Sequence, residues 1–140
     1  MEKEILMKLR KDGHRITSAR SAIIHLLVET DEPLSASKIR STLKLQRLSL
    51  DRATIYRELK FLLTDNIVRK IQFAGKATHY EIESGHHHHL ICVKCNSVKI
   101  IVLGRHLERH ERQIYKKENF RVISHALEFY GLCRKCQVLS

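Results

Sequence analysis

Residues 51–82 read DRATIYRELKFLLTDNIVRKIQFAGKATHYEI, and the period of their apolar positions changes part-way through. Asp51 can cap a helix over residues 52–64 in which Ile55, Leu59 and Leu62 recur on one stripe. Ile67, Val68 and Ile71 then lead into Phe73-Ala74-Gly75-Lys76, and Thr78, Tyr80 and Ile82 alternate after it. Alternation around a turn that contains Gly predicts a hairpin. Upstream, residues 2–11 predict a short amphipathic helix with Ile5, Leu6 and Leu9 on one face, ended by Gly13. Thr17 can cap a second helix reaching about residue 28, with Ile23, Ile24, Leu26, Leu27 and Val28 as its apolar load. Ser35 can cap a third, with Ile39, Leu43 and Leu45 inward. Helices followed by a two-stranded hairpin describe a winged helix-turn-helix.

Downstream the composition shifts at Ser84-Gly85, which places a domain boundary between residues 1–84 and 85–140. All four Cys lie in the second part, together with four consecutive His. Residues 89–93 and 98–103 read as strands flanking the first Cys pair. Residues 107–118 read as a helix with Leu107, Ile114 and Tyr115 inward, and residues 122–130 as a third strand leading to the last Cys pair. The expected class is therefore α+β, a winged helix-turn-helix followed by a small α/β domain. A half of this size has too small a core to be stable without a staple or a partner.

The chain has 140 residues, with 26 Lys and Arg against 15 Asp and Glu, a formal net charge of +11. Such basicity points to a polyanion, nucleic acid or an anionic membrane surface. It is spread over both parts rather than gathered in a tail, which favours a folded binding surface. No apolar run approaches the ~20 residues of a membrane helix. The start, MEKEILMKLRKDGHR, lacks the apolar core of a signal peptide. A reducing cytoplasm is the expected compartment, and there paired Cys more often hold metal than form disulfides.

Cys92-Val93-Lys94-Cys95 and Cys133-Arg134-Lys135-Cys136 are two C-x-x-C hooks, with no other Cys in the chain. Cys92, Cys95, Cys133 and Cys136 together supply the four thiolates of a closed, structural zinc site. Two redox dithiols or two disulfides are the competing readings of the same pairs. The run His86-His87-His88-His89 carries a second signal. Side chains alternate across a strand, so His86 and His88 share one face and His87 and His89 the other. One run can feed two metal sites, completed by donors from among Glu81, Glu83, Glu108, His110 and His125. A solvated His stretch with incidental metal affinity is the bland alternative.

At these residues the chain resembles the ferric uptake regulator family of metal-dependent bacterial transcription factors. The resemblance covers residues 10–137 and rests on GHRITSAR at 13–20, DRATIYREL at 51–59, HHHHLICVKC at 86–95 and HALEFYGLCRKC at 125–136, in the family's order and spacing. It implies a homodimer in which N-terminal winged helices grip an operator, C-terminal halves dimerise, and a sensed metal clamps the DNA-binding posture. It assigns Cys92, Cys95, Cys133 and Cys136 to structural zinc, and Glu81, His87 and His89 to the sensing site. His86, Glu108 and His125 match a further metal site, with His88 standing where many members have Asp. Tyr56 and Arg57 match the DNA-facing part of the recognition helix, and Arg15 a basic residue that reaches DNA. Two positions depart from the family pattern. Pro33 stands where many members place a sensing His, and Ile100 where many place an acidic ligand. Neither can bind metal, which argues against an iron-based peroxide sensor with its fuller, oxygen-rich shell. Some zinc-sensing members share the four consecutive His. His and Glu ligands admit Zn(II), Fe(II), Mn(II) or Ni(II).

The 52–64 helix suits DNA on its own chemistry. Arg52, Arg57 and Lys60 can reach phosphates or guanine edges, and Thr54 and Tyr56 can bond phosphate or meet thymine methyls. Lys70 and Lys76 near the hairpin can meet flanking backbone. The competing reading is a solvated charged face with Tyr56 half-packed. A dimer would read an inverted-repeat, double-stranded operator. The leading expectation is a metal-responsive repressor controlling metal-homeostasis genes, with no small-molecule substrate and no membrane partner. A cytoplasmic zinc-binding or redox protein that does not act on DNA is the alternative. A hydrolase is weakest, since no Ser-His-Asp grouping, HExxH or phosphate loop occurs.

Overall fold

Thr17, Ser35 and Asp51 each cap a helix with their own side chains. The Thr17 hydroxyl accepts from the Arg20 N–H (3.1 Å), Ser35 Oγ from the Lys38 N–H (3.2 Å) and Asp51 Oδ1 from the Thr54 N–H (2.7 Å). These bonds satisfy backbone donors that a helix start otherwise leaves orphaned. The computed structural model describes residues 1–30, 32–104 and 106–138. Among them the chain forms two compact units, Met1–Ser84 and Gly85–Ser140.

The first unit runs α1 (Glu2–Lys11), α2 (Ser18–Glu29), β1 (Leu34–Ser35), α3 (Ala36–Leu45), α4 (Arg52–Thr64), β2 (Val68–Gln72) and β3 (Thr78–Ile82). The hairpin β2–β3 pairs antiparallel from Val68↔Ile82 to Gln72↔Thr78, with Gly75 left-handed (φ 69°) in its turn. The two-residue β1, not anticipated, adds on the other side of β3, giving the order β1-β3-β2. Ile23 and Ile24 of α2, Ile39 and Leu43 of α3, and Ile55, Leu59 and Leu62 of α4 meet in one buried cluster with Leu9, Val68, Tyr80 and Ile82. This is the winged helix-turn-helix. Leu45 is a correction: it lies 87% exposed at the end of α3, beyond the turn that reaches the core.

The second unit runs β4 (His88–Cys92), β5 (Val98–Ile101), α5 (His106–Glu118), β6 (Glu128–Gly131) and α6 (Arg134–Val138). β4 is central, antiparallel to β5 and parallel to β6. The strand expected over 122–130 is real only at its end; residues 121–127 take no strand pairing. Only the register that sets Leu90 opposite Phe129 and Ile91 opposite Tyr130 supplies a partner. Ile114 and Tyr115, expected inward, are exposed on α5. The apolar residues buried in this unit are Ile91, Cys92, Val98 and Cys136 among the described ones, so the unit has almost no core beyond its sulfurs.

Candidate metal centres and nucleic-acid interface

The strand register brings the two Cys hooks together. Cys92 ends β4 opposite Gly131 of β6, and Cys133 follows two residues later. The first hook is a tight turn: the Cys92 N–H donates to the Ser97 carbonyl, the Asn96 N–H donates to the Cys92 carbonyl (both 2.9 Å), and Asn96 is left-handed (φ 63°). The second opens the short α6. All four Sγ atoms lie within 4.8 Å of one another, and Cys95 Sγ is 3.7 Å from Cys133 Sγ. Zinc–sulfur bonds of about 2.3 Å place tetrahedral sulfurs about 3.8 Å apart, so the donor set fits zinc. Four sulfurs in one group replace the reading of two separate dithiols, and all four Cys are free.

The electrostatics of this group point the same way. Backbone N–H groups of Cys133 and Cys95 hold the Cys92 thiol down to about 5, the Cys133 N–H lying 3.4 Å from Cys92 Sγ. Ser97 lowers Cys95, with Oγ at 3.2 Å from its sulfur. Burial and the three neighbouring sulfurs push Cys136 up to about 12. Sulfurs this close cannot all ionise alone; a divalent cation removes the repulsion and makes four thiolates the stable state.

The His run divides by face. His86, His88 and His125 bring ligand nitrogens within 4.8 Å of one another, with ring centroids 4.7 Å (His86–His88), 4.5 Å (His86–His125) and 5.5 Å (His88–His125) apart. His88 is buried. Glu108, expected in this site, is not in the group and is exposed on the first turn of α5. Glu111, one turn further along α5, reaches His125 instead, Oε1 to Nδ1 at 2.6 Å. Sequence reasoning missed Glu111, since nothing in its spacing distinguishes it from a solvated helix carboxylate. On the other face His87 and His89 form an edge-to-face ring pair at 5.1 Å. Glu81, in the first unit, is buried on β3, with Oε1 accepting from Arg69 Nε (2.6 Å) of the facing strand. Glu83 and His110 lie outside these groups. Pro33 is buried and Ile100 half-buried.

On α4 the apolar stripe faces the core, which leaves Arg52, Tyr56, Arg57 and Lys60 exposed on the outer face and Thr54 half-buried at its start. The Arg52 guanidinium lies over the Tyr56 ring at 5.4 Å. A cleft of about 620 Å³ opens beside it, lined by Arg40 and Lys44 of α3 as well as Arg52 and Tyr56. Arg15 is exposed, and its carbonyl accepts from Arg20 Nη1 (2.7 Å). Arg20 also donates through Nε to Glu58 of α4 (2.8 Å) and stacks on Phe61 (3.6 Å), a clamp not anticipated from sequence. No helix of the described residues is long and apolar enough to cross a membrane.

The model of the ferric uptake regulator family matches residues 11–130. The chain belongs to the ferric uptake regulator family. Among its relatives, a ferric uptake regulation protein of Legionella pneumophila is 31% identical over 132 residues, covering 93% of this chain and 96% of that protein. A peroxide-responsive repressor of Staphylococcus epidermidis is 28% identical over 134 residues, covering 96% and 89%. Among solved structures, the Helicobacter pylori ferric uptake regulator, which has three functional metal-binding sites, superposes with a TM-score of 0.78 at 26% identity, covering 96% of this chain and 90% of that one. This ferric uptake regulator family member is thus a metal-responsive transcriptional repressor by class and not an enzyme. Among the described residues its donor groups include one set of four cysteines and clusters of His.

Proposed function

We propose that the protein represses transcription as a homodimer that binds inverted-repeat DNA when a regulatory divalent metal is bound. The observation that carries this reading is the division of one His run between two faces. His86 and His88 converge with His125, while His87 and His89 pair on the other side. In this reading Cys92, Cys95, Cys133 and Cys136 hold structural zinc permanently. His87, His89 and Glu81 hold the sensed metal, and His86, His88 and His125 a second ion. Imidazoles with a single carboxylate, and no donor at 33 or 100, favour Zn(II) over Mn(II) or Fe(II).

Arg15, Arg52, Thr54, Tyr56, Arg57 and Lys60 would make the DNA contacts, phosphate contacts fixing position and the α4 side chains reading base edges. Dimerisation is supported by the exposed Ile114 and Tyr115 of α5 and Phe129 and Tyr130 of the edge strand β6, in a unit with little core of its own. Metal-homeostasis genes and the cytoplasm are the setting that follows. The test is an operator-binding titration against buffered Zn(II), Fe(II), Mn(II) and Ni(II), with bound metal counted. Zn(II) should activate binding at the lowest free concentration. His87→Ala with His89→Ala should abolish metal stimulation while leaving the circular dichroism spectrum intact. Undiminished stimulation in that variant rejects the sensing site.

A further inference from the structure

Arg15 lies between α1 and α2 in a segment with no regular structure, so its exposed side chain is only as well placed as the backbone that carries it. Arg20 Nη1 holds the Arg15 carbonyl (2.7 Å). The preceding residue, His14, donates its N–H to the Leu9 carbonyl (2.9 Å) and sets its ring edge-to-face with Phe61, 4.9 Å between centroids at 84°. Phe61 is the ring that the Arg20 guanidinium also covers. Both groups that hold the Arg15 backbone thus meet on one aromatic side chain of α4.

His14 also reaches Asp65, the residue that ends α4, with Nε2 3.1 Å from Oδ2. That oxygen is shielded from solvent and has no hydrogen-bond partner, so the contact is an attraction rather than an aligned hydrogen bond. A carboxylate is unfavourable here on local grounds. The C-terminal end of a helix is the negative end of its dipole, and an unbonded buried oxygen adds a desolvation cost. Lys8 Nζ meets the main-chain carbonyl of Asp65 (3.2 Å), and the His14 ring is the group held against the carboxylate. A local conflict met by one partner from another segment is characteristic of a functional position.

We propose that His14 and Asp65 are positioning residues for DNA binding: with Phe61 they latch the Arg15 segment to the C-terminal end of α4, so that Arg15 and the outer face of α4 are presented to DNA together. The inference rests on the reading of Arg15 and α4 as DNA contacts. Tying the loop beforehand removes the ordering cost that a free Arg-bearing segment would meet on binding. Simple charge predicts the opposite sign. Asp65 is a negative charge on a protein that binds a polyanion, and its loss should by charge alone tighten binding.

The experiment uses the full-length, zinc-loaded protein and a duplex that this protein recovers from a randomised pool, at fixed salt. Asp65→Ala should weaken binding roughly three- to tenfold although it removes a negative charge, and His14→Leu, which keeps apolar contact with Phe61, should do the same. The two together should cost no more than either alone, as two halves of one contact do. In an Arg15→Ala background both substitutions should lose their effect. That coupling separates positioning from a general loss of stability, which would weaken binding equally with and without Arg15. Binding by Asp65→Ala as tight as the parent's or tighter, or equal losses in the two backgrounds, overturns the latch. A loss in His14→Leu alone makes His14 a direct DNA contact and overturns it as well. If Arg15→Ala by itself binds as tightly as the parent, it is the reading of Arg15 as a DNA contact that fails.

Discussion

Asp51 stands where extended backbone (φ −75°, ψ 164°) turns into α4, and its carboxylate takes the Thr54 N–H at 2.7 Å. Hydrogen bonding to Thr54, with Arg57 and Arg40 as smaller contributors, holds the Asp51 carboxyl below the usual carboxylate range. A folded-state value below the unfolded one means stabilisation present above the unfolded pKa and lost as pH falls through the lowered folded value. Asp51→Ala should therefore be less stable than the parent at neutral pH, and the gap should close well below pH ~4. Asp51→Asn, which keeps a neutral acceptor but not the charge, should fall between the parent and Asp51→Ala at neutral pH. Urea unfolding at a series of pH values checks this; a gap that persists undiminished at about pH 2 would mean the cap does not act through its charge. The consequence reaches function, since this cap fixes the first turn of the helix that carries Arg52 and Tyr56.

The α4 element is aimed by one ion pair. Arg20 and Glu58 are both nearly buried, and the same guanidinium holds the Arg15 carbonyl and covers Phe61. The two segments expected to meet DNA, Arg15 and the face of α4, are thus set by a single contact across α2. Removing one partner leaves the other charge unpaired in a poorly solvated place. Glu58→Ala should cost about 3 kcal/mol, seen as an earlier urea midpoint for the helical signal. Glu58→Gln should cost less, because it keeps an acceptor for Arg20. Equal midpoints for Glu58→Ala and the parent would place the pair in effectively screened surroundings. The α5 element behaves in the opposite way. Its amphipathic pattern was legible, but Ile114 and Tyr115 face outward from the single chain. A helical period reports that a face will be covered, not whether the cover is the same chain or a second copy.

At the scale of the molecule, apolar burial is unequal. The one apolar cluster among the described residues belongs wholly to Met1–Ser84, while Gly85–Ser140 buries little beyond Ile91, Val98 and two of its sulfurs. A small sheet in that position depends on a cross-link. Structural zinc sites supply folding free energy outright, about 10 kcal/mol or more in small domains. Cys92→Ser should accordingly lose one zinc per chain, together with the ordered second unit and the proposed dimer. The winged helix should keep its helical signal and its own unfolding transition. Metal analysis alongside sedimentation makes the test, and full zinc retention would remove the four-cysteine assignment. The similarity to both an iron-named and a peroxide-named relative, at 31% and 28% identity, leaves the sensed metal to the donor atoms rather than to kinship.

The sequence by itself determined what local spacing can encode. The caps Thr17, Ser35 and Asp51, the helical stripes, the hairpin around Gly75, the two Cys hooks and the alternating faces of the His run all depend on neighbours within a few residues. For these, backbone geometry alone relates position to direction. The tertiary structure decided everything that needs a partner far along the chain. The parallel pairing of β6 with β4 shortened the expected third strand and aligned Cys92 with Gly131. The Arg20–Glu58 clamp joins residues 38 apart, and the Glu111–His125 contact turned on which turn of α5 meets that ring. Such contacts leave no periodic trace, because a charged residue on a helix reads alike whether it faces water or a single buried counterpart.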